Sequence, residues 1–305
     1  MEENYTYHKP VMLKECIDGL NIDPEGIYVD ITFGGGGHSR AILEKLTTGH
    51  LYSFDQDTDA KAESLKIVSS NFTFIQANFR FLNKYLRIYG VKKVNGILAD
   101  LGISSHQIDT PERGFSTRFD AQLDMRMNTS ADISAYKIIN EYTTEDLHKI
   151  FGMYGELKNA KTVANAVVNA RNSQNINTVN DLKNALNGYS QRGKEHKFFA
   201  QVFQALRIEV NEELKALEDF LIQVPEILAP NGRLVVMAYH SLEDRPVKNF
   251  IRSGKFSGDV EKDFFGNEIK PLQSITRKPI EALEEELLQN PRARSAKLRI
   301  AVKPE

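Results

Sequence analysis

Apolar, β-branched runs bounded by turn residues recur at Ile27–Ile31, His50–Phe54, Phe72–Ile75, Gly96–Leu101 and Arg233–Tyr239, the signature of strands. Amphipathic stretches such as His38–Leu46 and Asp59–Ser69 separate the first four. That alternation predicts βαβ units feeding a parallel sheet, and hence an α/β fold. The interval between the fourth and fifth runs is far longer than one crossover helix needs. Within it, apolar residues fall at helical spacing over Ser134–Glu141, Thr144–Met153, Asn159–Arg171 and Val179–Leu186, with Thr144 and Thr178 as expected N-caps. The pattern therefore predicts a helical subdomain at 106–200, inserted into a core formed by 1–105 and 201–305. A long helix, Phe198–Leu228, returns the chain to the sheet, with a break expected near Pro225. Ser253–Asn267, with its glycines and mixed charges, reads as a mobile excursion before Leu272–Ile275 and Ala296–Val302 complete the sheet.

Composition narrows the function classes. A chain of 305 residues, 41% hydrophobic, can bury sizeable cores. One cysteine, Cys16, excludes a disulfide framework, and no Cys or His spacing suggests a metal site. The start, MEENYTYHKP, has neither a basic stretch nor an apolar leader core, and no apolar run is long enough to span a bilayer. A cytoplasmic protein without membrane partners is expected. A formal net charge of −2 argues against nucleic-acid binding through bulk charge, so any such contact must be local.

The candidate chemistry gathers at strand ends. In "YVDITFGGGGHSRAIL" (28–43) four glycines follow a strand and precede a helix, which lets a ligand approach backbone N–H groups at the sheet's carboxyl edge. Gly37 is followed by His38 and Ser39, so the lysine of a nucleotide-triphosphate loop is missing, and the dinucleotide spacing also fails at its last glycine. Glycines alone also fit a tight turn without a ligand, though less readily than a ligand-binding one. At the end of the second strand, "YSFDQD" places Asp55 where an acid takes a ribose diol; a solvated acidic turn is the alternative, while a calcium loop lacks its glycine and glutamate at Ala60 and Lys66. Phe79, in "QANFRFL", offers a face for a flat base or a piece of core. Asp100 ends the apolar run of "ILADLGISSHQID", placed for chemistry or for capping the loop.

These residues lie within longer motifs. "HKPVML" (8–13), "DITFGGGGHS" (30–39), "DLGISSHQID" (100–109), "RGFS" (113–116), "LDMRM" (123–127), "FQALRIEVNEEL" (203–214), "YHSLEDRPVK" (239–248) and "NPRARSAKLR" (290–299) span nearly the whole chain in order. Together they resemble the RsmH (MraW) family, the 16S rRNA cytosine-N4 methyltransferases that use S-adenosylmethionine. The resemblance implies a class I, Rossmann-like S-adenosylmethionine-dependent methyltransferase sheet with a helical insertion, and the insertion is the candidate for substrate recognition. It also implies a target cytidine in the P-site region of the decoding centre of the small ribosomal subunit, and a monomer or homodimer. By carry-over, Gly36, Gly37 and His38 line the methionine and ribose end of the cofactor, Asp55 takes the ribose diol, and Phe79, Asp100 and Gln107 complete the pocket. Tyr239 stands where the family commonly has Phe, and Pro246 stands where a β-branched residue is usual, which puts the start of the following helix in question.

The residues themselves bear on the chemistry. Adding a methyl to carbon 5 of cytosine needs a thiolate, and Cys16 precedes the first strand, where it reads as a small core hydrophobe on an N-terminal helix. Methylating the exocyclic amine needs only orientation and hydrogen-bond acceptors for its N–H groups, and Asp100 with its loop is the candidate. His240, in "MAYHSLEDR", either moves a proton or binds substrate, or is held by Glu243 or Asp244 and only shapes its loop. Ser241 contacts phosphate or caps the next helix, and Arg113 and Arg126 are phosphate contacts or internal salt bridges, with the structural reading favoured for all three. Arg292, Arg294 and Lys297, with Arg299 nearby, form the best RNA-binding patch, although "EALEEELL" offsets their field and some of them brace the fold if the segment is a strand. Near-neutral charge favours assembled small subunits over naked 16S rRNA. Methylation of adenine N6 or of a small molecule, and cofactor or RNA binding without turnover, are the competing classes.

Overall fold

The computed structural model describes residues 10–305. His8 and Lys9 of the "HKPVML" motif, and the N-terminal stretch read above for a leader, lie outside them. The chain divides into two compact units, one of residues 1–102 and 214–305, the other of 103–213.

The first unit starts with α1 (Leu13–Leu20), β1 (Ile27–Asp30), α2 (Gly37–Leu43), β2 (His50–Asp55), α3 (Thr58–Ser64), β3 (Phe72–Gln76), α4 (Leu82–Ile88) and β4 (Val94–Asp100). Parallel pairing sets Val29 against Tyr52 and Ile97, and Ser53 against Phe74. The second unit follows, with α5 (Ser105–Asp109), α6 (Ala135–Glu141), α7 (Thr144–Met153), α8 (Ala160–Ser173), α9 (Val179–Ala185) and α10 (Glu195–Asn211). The chain then returns through α11 (Glu213–Ile227) to β5 (Leu228–Ala238), α12 (Ser241–Ser253), the short β6 (Glu261–Lys262), β7 (Glu268–Ile269) and β8 (Gln273–Ser274), α13 (Glu284–Gln289) and β9 (Lys297–Val302).

The main sheet runs β3-β2-β1-β4-β5-β9-β8, parallel from β3 to β5 and antiparallel beyond. Its central strands read as unbroken apolar runs because both faces are covered. Side chains alternate between two cores. Ile97, Ala99, Leu234 and Val236 pack with α4, α11 and α12. Leu98, Val235, Met237, Leu298 and Ile300 face the other way, towards Cys16 and Leu20 of α1 and Ile42 of α2. Strand order reverses between β1 and β4, and ligands of open α/β sheets bind at the carboxyl ends beside such a reversal.

In the second unit the apolar faces of α6 to α10 close a core of their own, including Ile138, Phe151, Val163, Val167, Leu182, Val202 and Leu206. Arg113 donates to the carbonyls of Arg126 and Met127, and Arg126 makes a bidentate pair with Asp124, so both arginines are internal ties. The unit runs to Glu213 rather than to 200 because α10 contributes Phe198, Val202, Phe203 and Leu206 to its core.

Several local expectations are corrected. The expected helix Phe198–Leu228 is two helices, parted at Glu212, which adopts φ +49°. Pro225 sits inside the last turn of α11, and the helix stops two residues later, at Ile227. Thr143, not Thr144, caps α7, its hydroxyl accepting from the Asp146 N–H, while Thr178 forms a reciprocal capping box with Asp181 as expected. Ser241 is the first residue of α12 rather than its cap, and Pro246 lies within that helix without delaying its start. Part of the 253–267 excursion pairs as β6 with β7, Lys262 opposite Glu268.

Candidate active site

The carboxyl ends of β1, β2, β4 and β5 bring one group of polar side chains together within the first unit. Asp30 ends β1 and is buried; its carboxylate accepts from the Ser39 hydroxyl at 2.6 Å and from the Thr32 N–H at 3.1 Å. Ser39 in turn shares a 2.8 Å hydrogen bond with Ser53 of β2. Thr32 reaches across to β4, its hydroxyl accepting the Asp100 N–H at 2.7 Å. The acid at the end of one strand is thereby tied to the acid at the end of its neighbour.

The glycine turn is held from within. Gly34 adopts φ +52° and donates its N–H to Asp55 Oδ2 at 2.8 Å, while Asp55 Oδ1 takes the Asp57 N–H. At Gly36, φ is +76°, and a Cβ there would sit 2.6 Å from the Phe33 ring; one on Gly37 would sit 2.2 Å from Pro10. Side chains are therefore excluded by the protein's own packing as well as by backbone conformation. Asp55 serves two backbone groups and is in place at the end of β2, beside the turn.

His38 is buried in the first turn of α2. Its Nε2 lies 3.2 Å from the Val11 carbonyl, which assigns the proton to that nitrogen and leaves Nδ1 as an acceptor, 3.8 Å from Asp100 Oδ2. Burial lowers the imidazole's pKa to about 4, so the ring is neutral at physiological pH. Asp100 is 24% exposed at its side chain, and its Oδ1 accepts from the Tyr239 hydroxyl at 2.8 Å. Desolvation raises Asp100 to about 7, opposed by the Tyr239 hydrogen bond and reinforced by the charges of Asp30 and Glu243. Burial likewise lifts Asp30 and Asp55 to about 6 each. Among the described residues, hydroxyls and backbone N–H groups, rather than cations, donate the hydrogen bonds to these three carboxyls. Such a site favours a positively charged guest.

His240 lies just past β5, its Nε2 3.1 Å from Oε1 of the buried Glu243. Glu243 Oε2 accepts the Tyr239 N–H at 2.9 Å. The partner expected for His240 is thus Glu243; Asp244 instead forms a bidentate pair with Arg299, at 2.6 and 3.0 Å. Phe79 is half-buried and meets Phe220 edge-on at 5.8 Å, so part of its ring belongs to the core. Gln107 lies in the second unit, where its side-chain oxygen accepts the Ser104 N–H in the capping box of α5. Arg294 and Lys297 are exposed and Arg292 is half-buried, while Arg299 braces β9 against α12. Cys16 is fully buried in α1, and burial pushes its thiol well above the ordinary range.

Sequence reasoning passed over Asp30, Thr32 and Ser39. Asp30 carried the signal used for Asp100, an acid ending an apolar strand, but stood beside the more conspicuous glycines. The hydroxyls of Thr32 and Ser39 give no pattern until the strands are paired.

A parallel run ordered 3-2-1-4-5, extended by antiparallel β9 and carrying acids at the ends of β1, β2 and β4 around a glycine turn, is the sheet of a class I, Rossmann-like methyltransferase fold. Residues 5–304 match the model of the MraW methylase family, and the chain belongs to that family. A relative named ribosomal RNA small subunit methyltransferase H from Cytophaga hutchinsonii is 60% identical over 97% of this chain and 99% of its own length. One of the same name from Christiangramia forsetii is 54% identical over 97% and 98%. Solved structures are more distant: an rRNA methylase from Streptococcus thermophilus, 14% identical, covers 96% of this chain and 94% of its own with a TM-score of 0.37. NSun6 from Pyrococcus horikoshii with SFG, 11% identical, covers 100% and 56% with a TM-score of 0.44. No helix of the described residues is long and apolar enough to cross a membrane.

Proposed function

We propose that the protein methylates the exocyclic N4 amine of one cytidine of 16S rRNA, in the P-site region of the decoding centre, acting on the assembled small ribosomal subunit. Family membership and 60% identity over nearly the whole chain to a protein named ribosomal RNA small subunit methyltransferase H support the coarser part of this reading, methyl transfer to small-subunit ribosomal RNA. The choice of N4 over carbon 5 rests on one observation: the polar group at the carboxyl ends of β1 and β4 is Asp100 beside a neutral His38, while the chain's one cysteine is buried in α1 with its thiol held protonated; the particular cytidine and its place in the decoding centre rest on the family resemblance alone. Methylation at carbon 5 would need that thiol as a free nucleophile.

S-adenosylmethionine, when bound, supplies a methyl group made electrophilic by a sulfonium cation. Gly36, Gly37 and His38 would line its methionine and ribose end, Asp55 would take its ribose diol, and Phe79 and Asp100 would complete the pocket. The fit is supported by three carboxyls raised by burial beside the glycine turn. In their ionised forms these carboxylates favour a cation. Asp100 accepts a hydrogen bond from the cytosine amino group, turning the nitrogen lone pair out of conjugation and stabilising the positive charge that develops on it. His240 stands at the end of β5 as a group that can take a proton onward from the site, with Glu243 fixing its ring. Arg294 and Lys297, exposed, and Arg292 contribute phosphate contacts. The second unit, with its own core, serves substrate recognition.

The test is transfer of labelled methyl from S-adenosylmethionine to small subunits from cells lacking the protein, followed by nucleoside analysis. N4-methylcytidine is expected with the native protein and absent with Asp100→Ala. Label in 5-methylcytidine or N6-methyladenosine, or equal activity on naked 16S rRNA and on subunits, overturns the corresponding part of the reading.

A further inference from the structure

We infer that Tyr239 is a positioning residue for methyl transfer: its phenol hydroxyl holds one oxygen of Asp100, so that the other is presented to the substrate amine in a fixed orientation. The inference rests on the role proposed above for Asp100.

The geometry is specific. Asp100 pairs in register with Met237 of β5, so Tyr239, two residues further on, lies beyond the strand's end and its side chain reaches back over it. The hydroxyl donates to Asp100 Oδ1 at 2.8 Å. The Tyr239 N–H is held by Glu243 Oε2 at 2.9 Å, and the ring lies against Gly102, where an added Cβ would meet Cδ2 at 3.5 Å. The phenol is thus anchored at its backbone, its ring and its tip. Asp100 is anchored at its own backbone by Thr32. A carboxylate held at one oxygen loses rotation about its Cβ–Cγ bond, and Oδ2 remains as the second acceptor, 3.8 Å from His38 Nδ1.

The same contact opposes the burial that raises the Asp100 carboxyl. The titratable groups around it are Asp30 from β1, His38 from α2, Cys16 from α1, Glu243 from α12 and Tyr239 itself. Asp30 and Glu243 push its proton affinity up and His38 is neutral, so Tyr239 is the one of these whose contact favours the ionised acceptor. A phenyl ring in its place would fill nearly the same space and leave Oδ1 without that donor.

The experiment compares wild type, Tyr239→Phe, Asp100→Asn and the double variant in single-turnover methyl transfer to small subunits, from about pH 5.5 to 8.5 at saturating S-adenosylmethionine. Tyr239→Phe is expected to lose about 10–100-fold near neutrality, the effect of one charge-assisted hydrogen bond. Its acid limb should move to higher pH, with cofactor affinity unchanged. Asp100→Asn should lose more, and adding Tyr239→Phe to it should cost nothing further. If Tyr239→Phe follows wild type at every pH while Asp100→Asn is impaired, the inference fails and the reading of Asp100 stands. A uniform loss with no movement of the acid limb reduces Tyr239 to structural support and also overturns the inference. If Asp100→Asn transfers at the wild-type rate, the reading of Asp100 fails and takes the inference with it.

Discussion

Replacing Asp100 by asparagine should stabilise the ligand-free protein, and only above a definite pH. Burial raises the Asp100 carboxyl from 3.8 to about 7 in the folded chain. An acid with a raised pKa binds its proton more tightly when folded, so stability is highest below the unfolded value and falls as pH rises towards the folded one. The loss accrues between about pH 4 and pH 7 and is constant above. At about 1.4 kcal/mol per pKa unit, the shift corresponds to about 4 kcal/mol. The side chain is 24% exposed, and solvent screening reduces this to about 2–3 kcal/mol. Asparagine has the same shape, keeps a carbonyl oxygen for the Tyr239 hydroxyl, and never ionises. Urea unfolding followed by far-UV circular dichroism should therefore give matching midpoints for the two proteins below about pH 4.5. Above pH 7 the variant should be the more stable by about 2–3 kcal/mol. A difference that is the same at pH 5 and pH 8, or that favours the native protein at pH 8, would refute the argument that ionised Asp100 strains the fold. Saturating S-adenosylmethionine should narrow the gap at pH 8, because a neighbouring sulfonium favours the carboxylate.

Four further outcomes follow from particular contacts. Gly36→Ala forces a Cβ at φ +76° to within 2.6 Å of the Phe33 ring and should cost about 1–3 kcal/mol while weakening cofactor binding, read by thermal melting and calorimetric titration; an unchanged melting temperature and affinity would contradict the packing described. Arg299→Ala leaves Asp244, only 14% exposed, without its bidentate partner, and should lower stability by about 2–4 kcal/mol. Arg294→Ala and Lys297→Ala should leave the melting temperature alone and each reduce the salt slope of small-subunit binding by about one; a melting change of similar size in all three variants would count against this division. Thr178→Ala removes a capping box from α9 and should cost about 1 kcal/mol, whereas Thr144→Ala, one residue inside α7, should cost less than Thr143→Ala in the same unfolding assay.

The strands were legible in the sequence because burial on both faces makes each of them an unbroken apolar run, as "NGILAD" and "RLVVMA" show. The length between β4 and β5, filled by helical spacing, pointed to the extra helices. Helix ends were less legible. Thr143 and Thr144 are chemically alike, and only the hydroxyl bonded to the Asp146 N–H identifies the cap. The break at Glu212 was not legible, since a glutamate adopts φ +49° only under tertiary constraint, while Pro225, the conspicuous breaker, lies within α11 only two residues before its end. At the site, Asp55, His38 and Asp100 could be named from their places after strands, but not their coupling. Thr32, Tyr239 and Glu243 are joined to that group by hydrogen bonds that exist only once β1, β4, β5 and α12 are side by side.

The pairing of β4 with β5 also constrains how the chain is made. Leu98 sits beside Val235, yet all of Ile103–Glu213 is synthesised between them. At about 5–20 residues per second, β4 waits on the order of ten seconds as the open edge of a half-built sheet. An apolar parallel edge left uncovered for that long invites pairing with the wrong chain. The intervening residues have a core of their own and can fold during the wait. A folded insert converts a long flexible loop, whose closure entropy would oppose the last parallel pairing, into a compact body with fixed ends. The unit proposed to read the ribosome would thus also time the completion of the sheet that carries Asp100 and Tyr239.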